Sequence, residues 1–184
     1  MNTRHLSVLF LATTIVAVLA AGGSASGMGA DDLVAVGTCT GETIELNGNE
    51  KRMLDLHNQT RADHGLQPLC ADPTLTQAAR AHSQQMLDGG YLGHDSPDGE
   101  TFEARLEDFG YTSEGYSYWA YGENVAWGTG PKAMADDRFE EWMGSPEHRD
   151  NILNGDFSEI GIGARTGETY EAGTTYTADF GTRR

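Results

Sequence analysis

The chain has 184 residues, a length typical of one domain, and its 28 acidic residues outnumber its 12 basic residues to give a net charge of −16. Such an acidic chain, in which Lys51 and Lys132 are the only lysines, excludes nucleic acid and anionic membranes as favoured partners. Because 38% of the residues are apolar, the chain can bury a core, and wholesale disorder is excluded.

Residues 1–26 have the layout of a secretory signal peptide. Arg4 precedes an apolar stretch at 6–19, and small residues follow at 20–27. The apolar stretch is shorter than the roughly 20 residues that a membrane-spanning helix needs. We therefore expect export, removal of residues 1–26 and no transmembrane anchor in the secreted, extracellular product. An uncleaved anchor is the alternative interpretation.

Export would place Cys39 and Cys70 in an oxidising environment. They are the only two cysteines, so they allow one disulfide, which would join the arm predicted at 27–48 to the domain predicted at 49–184. Closing that loop would stabilise the fold by roughly 3–4 kcal/mol. Two free, buried thiols are the alternative.

Hydrophobic spacing predicts five helices. The second is the best defined, because Asp72 can cap it and Pro73 occupies its first position. On its apolar face, His82 is expected to bond a backbone group or Ser83 inside the core. The fourth helix places Trp142 on its apolar face and therefore in the core. In chain order the helices are expected at 50–64, 73–89, 102–109, 131–144 and 146–153, with Phe102, Leu106 and Phe109 facing inward in the third.

Three later segments alternate apolar and polar residues in the manner of β-strands, at 123–127, 159–165 and 174–180. In the last segment, Tyr176, Ala178 and Phe180 would share one face. Helices first and paired strands last predict an α+β fold with a partly antiparallel sheet.

Four short stretches combine histidine or carboxylate side chains with turn residues. Through these stretches and their spacing, residues 50–181 resemble a bacterial member of the CAP superfamily, also called the SCP or cysteine-rich secretory/antigen 5/pathogenesis-related family. The four stretches are Gly93-His94-Asp95-Ser96, Gly122-Glu123-Asn124, Ser145-Pro146-Glu147-His148-Arg149 and Thr177-Ala178-Asp179-Phe180-Gly181.

The resemblance implies a three-layer α-β-α sandwich with a mixed, largely antiparallel sheet and an open cleft. In many members two histidines and two glutamates line the cleft and can hold a divalent metal. His94 and Glu123 match two of these positions, whereas the other two fall at Ser145 and near Thr175.

His148 and Asp179 are the candidate replacements in the cleft. With His94 and Glu123 they would supply imidazole nitrogens and carboxylate oxygens, so that zinc or another divalent cation is the candidate cofactor. The same groups would also support proton transfer. Structural roles are the alternative, with Glu123 bonding backbone amides and His148 closing a helix cap.

The resemblance implies a secreted module that binds a lipid, a sterol, the cell envelope or an extracellular or host protein. A metal-assisted hydrolase or peptidase is the alternative. Neither a Gly-x-Ser-x-Gly elbow nor a His-Glu-x-x-His helix occurs, which favours binding over catalysis. Aromatic residues would line an apolar groove or, alternatively, form core and rim; they are Tyr111, Tyr116, Tyr118, Trp119, Tyr121 and Trp127.

Overall fold

The computed structural model describes residues 32–167 and 173–184. The predicted signal peptide at 1–26 lies outside these ranges, as does the beginning of the predicted arm. Among the described residues, no helix has both the length and the apolar character needed to cross a membrane.

All five predicted helices and all three predicted strands are present, and the strands extend beyond their predicted ends. The fourth helix begins later than expected, because residues 130–133 form a separate 3₁₀ turn. In chain order the elements are β1 (Val34–Gly37), β2 (Thr43–Leu46), α1 (Gly48–Asp63), β3 (Cys70–Ala71), α2 (Pro73–Gly89), α3 (Phe102–Asp108), β4 (Trp119–Thr129), α4 (Ala135–Gly144), α5 (Pro146–Ile152), β5 (Glu159–Thr166) and β6 (Gly173–Arg183).

Side-chain caps fix where the two longest helices begin. The Asn47 side chain accepts a hydrogen bond from the Glu50 backbone N–H, and the Glu50 carboxylate accepts one from the Asn47 N–H, which is a capping box. The predicted cap of α2 is confirmed, since the Asp72 carboxylate accepts bonds from the second and third residues of the helix. Gly90, with a φ of 62°, ends α2 in the left-handed conformation that glycine adopts without strain.

The main sheet has the order β3-β5-β6-β4. β6 pairs antiparallel with both β5 and β4, and β3 pairs parallel with β5, so the sheet is mixed and largely antiparallel as expected. β1 and β2 form a separate antiparallel pair. The predicted arm also contributes Leu46 to the main core, which its composition did not indicate.

Helices cover both faces of this sheet. On one face α2 lies so close to β5 that a Cβ at Gly161 or Gly163 would be only 2.1 or 2.2 Å from the backbone of Leu75 or Ala79. On the other face α1 and α4 pack into the main core, where Trp142 is 1% exposed, as predicted for this tryptophan. The three-layer α-β-α sandwich is therefore confirmed.

The outer edge of β4 is bonded to the neighbouring helices. An unpaired strand edge can pair with a strand of another chain, and proteins prevent this by covering the edge. Here three side chains of α4 and α5 also fix the strand that carries Glu123. Asn151 Nδ2, Trp142 Nε1 and Arg138 Nη1 donate to the carbonyl oxygens of Glu123, Val125 and Trp127 at 3.2, 3.0 and 3.1 Å.

The predicted disulfide is also confirmed. Cys39 and Cys70 are bonded, with their Cα atoms 5.2 Å apart. The bond joins the segment after β1 to β3, and the adjacent residues Thr38 and Ala71 form a parallel bridge. The arm is thus fixed to the edge of the main sheet opposite β4.

Candidate functional site

Glu123 lies at the centre of the candidate site. Its cross-strand partner is Asp179 in β6, which in turn pairs with Gly161 in β5. Because directly opposed residues share a face of a sheet, both carboxyl groups lie on the face that α2 covers. The Glu123 side chain is only 1% exposed, so its charge needs partners within the protein.

The two carboxylate oxygens of Glu123 bind two different cationic groups. Oε1 accepts a hydrogen bond from His94 Nδ1 at 2.8 Å, and Oε2 accepts one from Arg105 Nη2 at 2.7 Å. The Arg105 side chain is fully buried. Glu123 is therefore paired with one permanent cation and one titratable group.

Arg105 was absent from the residues predicted for the site. It lies on α3 in an acidic stretch where an arginine is typical of a solvated helix surface. Phe109, predicted to face inward, is 36% exposed, whereas Arg105 is fully buried beside Leu106. The sequence feature that could have indicated the burial of Arg105 is its spacing of three residues from Phe102, which places both on one face of α3. In the structure the Arg105 guanidinium lies over the Phe102 ring, 5.8 Å from the ring centroid.

Two side chains form hydrogen bonds with the backbone carbonyl groups of Gly93 and His94. His82 Nε2 lies 2.8 Å from the Gly93 carbonyl oxygen and donates to it, and Arg105 Nη2 donates to the His94 carbonyl oxygen at 3.0 Å. Burial lowers the pKa of His82, which favours the neutral ring. The prediction that His82 bonds a backbone group in the core is confirmed.

The His94 ring is half in solvent, with 53% of the side chain exposed. Since Nδ1 donates to Glu123, the opposite ring edge with Nε2 is the accessible one. The hydrogen bond to Glu123 raises the pKa of His94, and partial burial opposes this. The protonated ring thus offers solvent a charged N–H donor.

Asp179 is fully buried beside Glu123. Burial and the charge of Glu123 raise its pKa well above the ordinary value, and Arg105 opposes this. Neither of its oxygens accepts a hydrogen bond from any donor among the described residues. A protonated Asp179 can instead donate to the Glu123 carboxylate, so the pair retains one negative charge and one proton.

His148 lies at the margin of the site. Its backbone carbonyl accepts a hydrogen bond from Asn124 Nδ2 at 3.0 Å, and its ring is 6.5 Å from that of Trp142. Burial lowers the pKa of His148, and the charge of His94 lowers it further. Its Nδ1 is buried and has no hydrogen-bond partner in the described part of the chain. The ring thus packs with the α4–α5 layer.

The residues present do not fit a divalent metal. Both oxygens of Glu123 are bound by Arg105 and His94, and Asp179 favours its protonated form. Zinc sites need three or four ligands around one point. Within 32–167 and 173–184, no group of three or more histidine, cysteine, aspartate or glutamate side chains is placed to hold a metal ion. Here the Arg105 guanidinium neutralises the Glu123 carboxylate.

The aromatic residues considered for a groove divide between core and rim. Tyr111 is fully buried, and Trp119 and Tyr121 pack against its cluster. Tyr116 and Tyr118 are exposed, and arginine side chains lie over their rings. These five residues therefore stabilise the fold, whereas Trp127 lines an apolar cavity elsewhere on β4.

Comparison with known proteins agrees with this architecture. The model of the cysteine-rich secretory protein family, CAP, matches residues 54–180. The uncharacterized protein YkwD of Bacillus subtilis is 37% identical over 144 residues, which cover 78% of this chain and 51% of YkwD. Pathogenesis-related protein 1C of Nicotiana tabacum is 27% identical over 100 residues, or 54% of this chain and 46% of that protein. The chain thus spans about half the length of these relatives.

Solved structures show the same fold. An extracellular protein containing an SCP domain from Bacillus anthracis superposes with a TM-score of 0.59 at 32% identity, over 72% of this chain and 40% of that chain. An outer surface protein from Borrelia burgdorferi superposes with a TM-score of 0.61 at 19% identity, over 83% of this chain and 100% of that one. At that identity the second likeness supports the fold alone.

Proposed function

Since the chain belongs to the cysteine-rich secretory protein (CAP) family, we propose that it is an exported binding module whose cleft holds an anionic group of its ligand on His94. In this proposal residues 1–26 are the signal peptide, 27–48 the arm and 49–184 the binding domain. The confirmed disulfide suits an oxidising compartment, and the Bacillus anthracis relative is named as extracellular.

The pairing of Glu123 carries the proposal. Its two oxygens are satisfied inside the protein, so the carboxylate is not free to bind a ligand. The charges of Glu123 and Arg105 cancel, and a protonated Asp179 adds none. When His94 is protonated, its exposed edge therefore carries the net charge of the cluster. A charge-assisted N–H donor suits a carboxylate or phosphate oxygen.

The same geometry favours binding over catalysis. Both cysteines are in the disulfide, which removes the thiol nucleophiles. Among the described residues, Glu123 is the hydrogen-bond partner of the His94 ring, and no hydroxyl group forms a hydrogen bond with that ring. Of the ligands that the resemblance implied, a lipid or an extracellular protein with an acidic group fits this site better than an uncharged sterol.

Imidazole NMR tests the proposal directly. Acetate and inorganic phosphate are titrated separately into the ¹⁵N-labelled protein at pH 6 and at pH 8.5, and the Nε2 signal of His94 is followed. We expect a saturable shift at pH 6 that weakens at pH 8.5 as the ring loses its proton. His64, an exposed histidine at the end of α1, is the internal control. Equal shifts of His64 and His94 would indicate nonspecific binding and contradict the proposal.

One observation keeps hydrolysis as a second candidate. The 2.8 Å contact with Glu123 orients the His94 imidazole as in general-base pairs, with Nε2 free to take a proton from water. Because a metal does not fit, such activity would have to persist in the presence of EDTA. Hydrolysis of a peptide library that survives EDTA and is lost in His94→Ala would favour this candidate over binding alone.

A further inference from the structure

An apolar cavity opens beside the loop that carries His94. Its volume is about 160 Å³. It lies between the last turn of α2, the following loop and the ends of β4 and β6 that pair with each other. The lining residues are Met86, Leu87, Gly90, Tyr91, Leu92, Trp127 and Thr175.

Most of the surface that lines the cavity is apolar. Met86 and Leu87 are core residues that are 1% and 4% exposed. The hydroxyl of Thr175 donates to the Ser83 carbonyl oxygen at 2.7 Å, so the polar atom of this threonine is already bonded to α2. No charged side chain lines the cavity among the described residues. Such a cavity favours a neutral, apolar group.

The size of the cavity favours one ring. An engineered apolar cavity of about 150 Å³ in another protein stays dry and binds benzene. The rings of Tyr91 and Trp127 in the lining favour an aromatic guest, because aromatic pairs gain energy beyond the burial of their surface. Leu92 is 55% exposed although it lines the cavity, which places it at the entrance.

The cavity and the polar site share one loop. Leu92 and His94 are two residues apart, so their Cα atoms are separated by at most about 7 Å. We infer that the two form one composite site for an aryl carboxylate, with the aromatic ring in the cavity and the carboxylate on His94. This inference rests on the proposed function for the His94 half and adds the ligand class.

Fluorine NMR with two probes tests the inference. 4-Fluorobenzyl alcohol offers the ring alone, and 4-fluorophenylacetate offers the ring with a carboxylate. At pH 6 we expect both to bind, the carboxylate at least tenfold more tightly, with nuclear Overhauser contacts from the ring to the methyl groups of Leu87 and Met86. Leu92→Asn should weaken both probes at least fivefold. Leu33→Asn, at a leucine that is 63% exposed and outside the lining, should change neither.

His94→Gln separates the two halves of the composite site. It should lower the affinity for 4-fluorophenylacetate to that for 4-fluorobenzyl alcohol and leave the alcohol unchanged. If acetate shifts His94 but neither probe contacts Leu87 or Met86, the inference is wrong and the proposed function stands. If the ring binds in the cavity but His94→Gln has no effect on either probe, the composite site is wrong, and an absent acetate shift would then also refute the proposed function.

Discussion

Glu50 and Glu123 are both buried glutamates that each bind two cationic side chains, yet their surroundings differ. Arg80 Nε and Arg165 Nη1 donate to Glu50 at 2.9 and 3.0 Å, and the capping box adds the Asn47 N–H. These partners join α1 to α2 and β5. Each is permanently charged or a backbone group, so this cluster stabilises the fold and has no titratable group to offer a ligand.

The cluster around Glu123 replaces one arginine with a half-exposed histidine. Its remaining arginine, Arg105, is fully buried, and Asp179 adds a carboxyl group whose raised pKa favours a bound proton. Two clusters of similar composition thus differ in the exposure and titration of one partner, which is His94 beside Glu123. The following experiments test this distinction.

Glu123→Ala should have the largest effect on stability. It removes the carboxylate that is hydrogen-bonded to the buried Arg105 guanidinium, and breaking a buried ion pair in this way costs about 3–5 kcal/mol. Urea unfolding at pH 7 measures the loss. The double variant Glu123→Ala/Arg105→Met removes both charges and should recover part of it. A single variant as stable as the wild type would show that Arg105 does not depend on Glu123.

Glu50→Ala should cost less, about 1–3 kcal/mol, through loss of the capping box and the ion pairs. The side chains of Arg80 and Arg165 are 28% and 30% exposed, so water can replace their lost partner. The same unfolding measurement applies. If Glu50→Ala lowered the free energy of unfolding more than Glu123→Ala does, the expected order of the two clusters in stability would be wrong.

Asp179→Asn should change stability by no more than about 1 kcal/mol at a pH well below 3.8, where wild-type Asp179 is protonated in both the folded and the unfolded chain and an amide resembles the acid in shape and charge. The pH dependence is a sharper test. With a raised pKa, the folded wild type keeps a proton that the unfolded chain releases above its ordinary value of 3.8, so its stability falls as pH rises above that value. Asp179→Asn should remove this fall. A variant with the wild-type slope would show that Asp179 is ionised.

The smallest expected effect is on the titration of His94. Imidazole NMR should give it a pKa above 6.5, and Glu123→Gln should lower that pKa. Because the folded-state pKa is raised, the stability from this contact is complete below about 6.5 and is lost as pH rises through the folded-state value. His82, whose pKa is lowered by burial, is the control. Identical titration of the two histidines would contradict the geometry of the site.

Local signals in the sequence predicted much of this structure. The cap at Asp72 and the apolar face with Trp142 each act within one element, and the disulfide followed from the presence of only two cysteines. His94 and Glu123 were assigned to the cleft through the resemblance to the CAP family. The other features depend on residue type and short-range spacing, which the sequence displays directly.

The remaining part of the site depends on long-range packing. An arginine such as Arg105 in an acidic helix indicates a solvated surface, and only the pairing with Glu123 across the fold explains its burial. His148 has the right chemistry for a metal ligand but packs with the α4–α5 layer. Residue types alone do not show whether side chains share one point in space, and within residues 32–167 and 173–184 no three histidine, cysteine, aspartate or glutamate side chains are placed to hold a metal ion.

The imidazole ¹⁵N spectrum of the wild-type protein with one equivalent of Zn²⁺ at pH 7.5 would show whether Arg105, rather than a metal ion, balances the charge of Glu123. We expect the signals of His94 and His148 to stay in place, with His94 Nδ1 still protonated and donating to Glu123. Joint, saturable shifts of both histidines at equimolar zinc would show that they ligate one ion and would contradict this expectation.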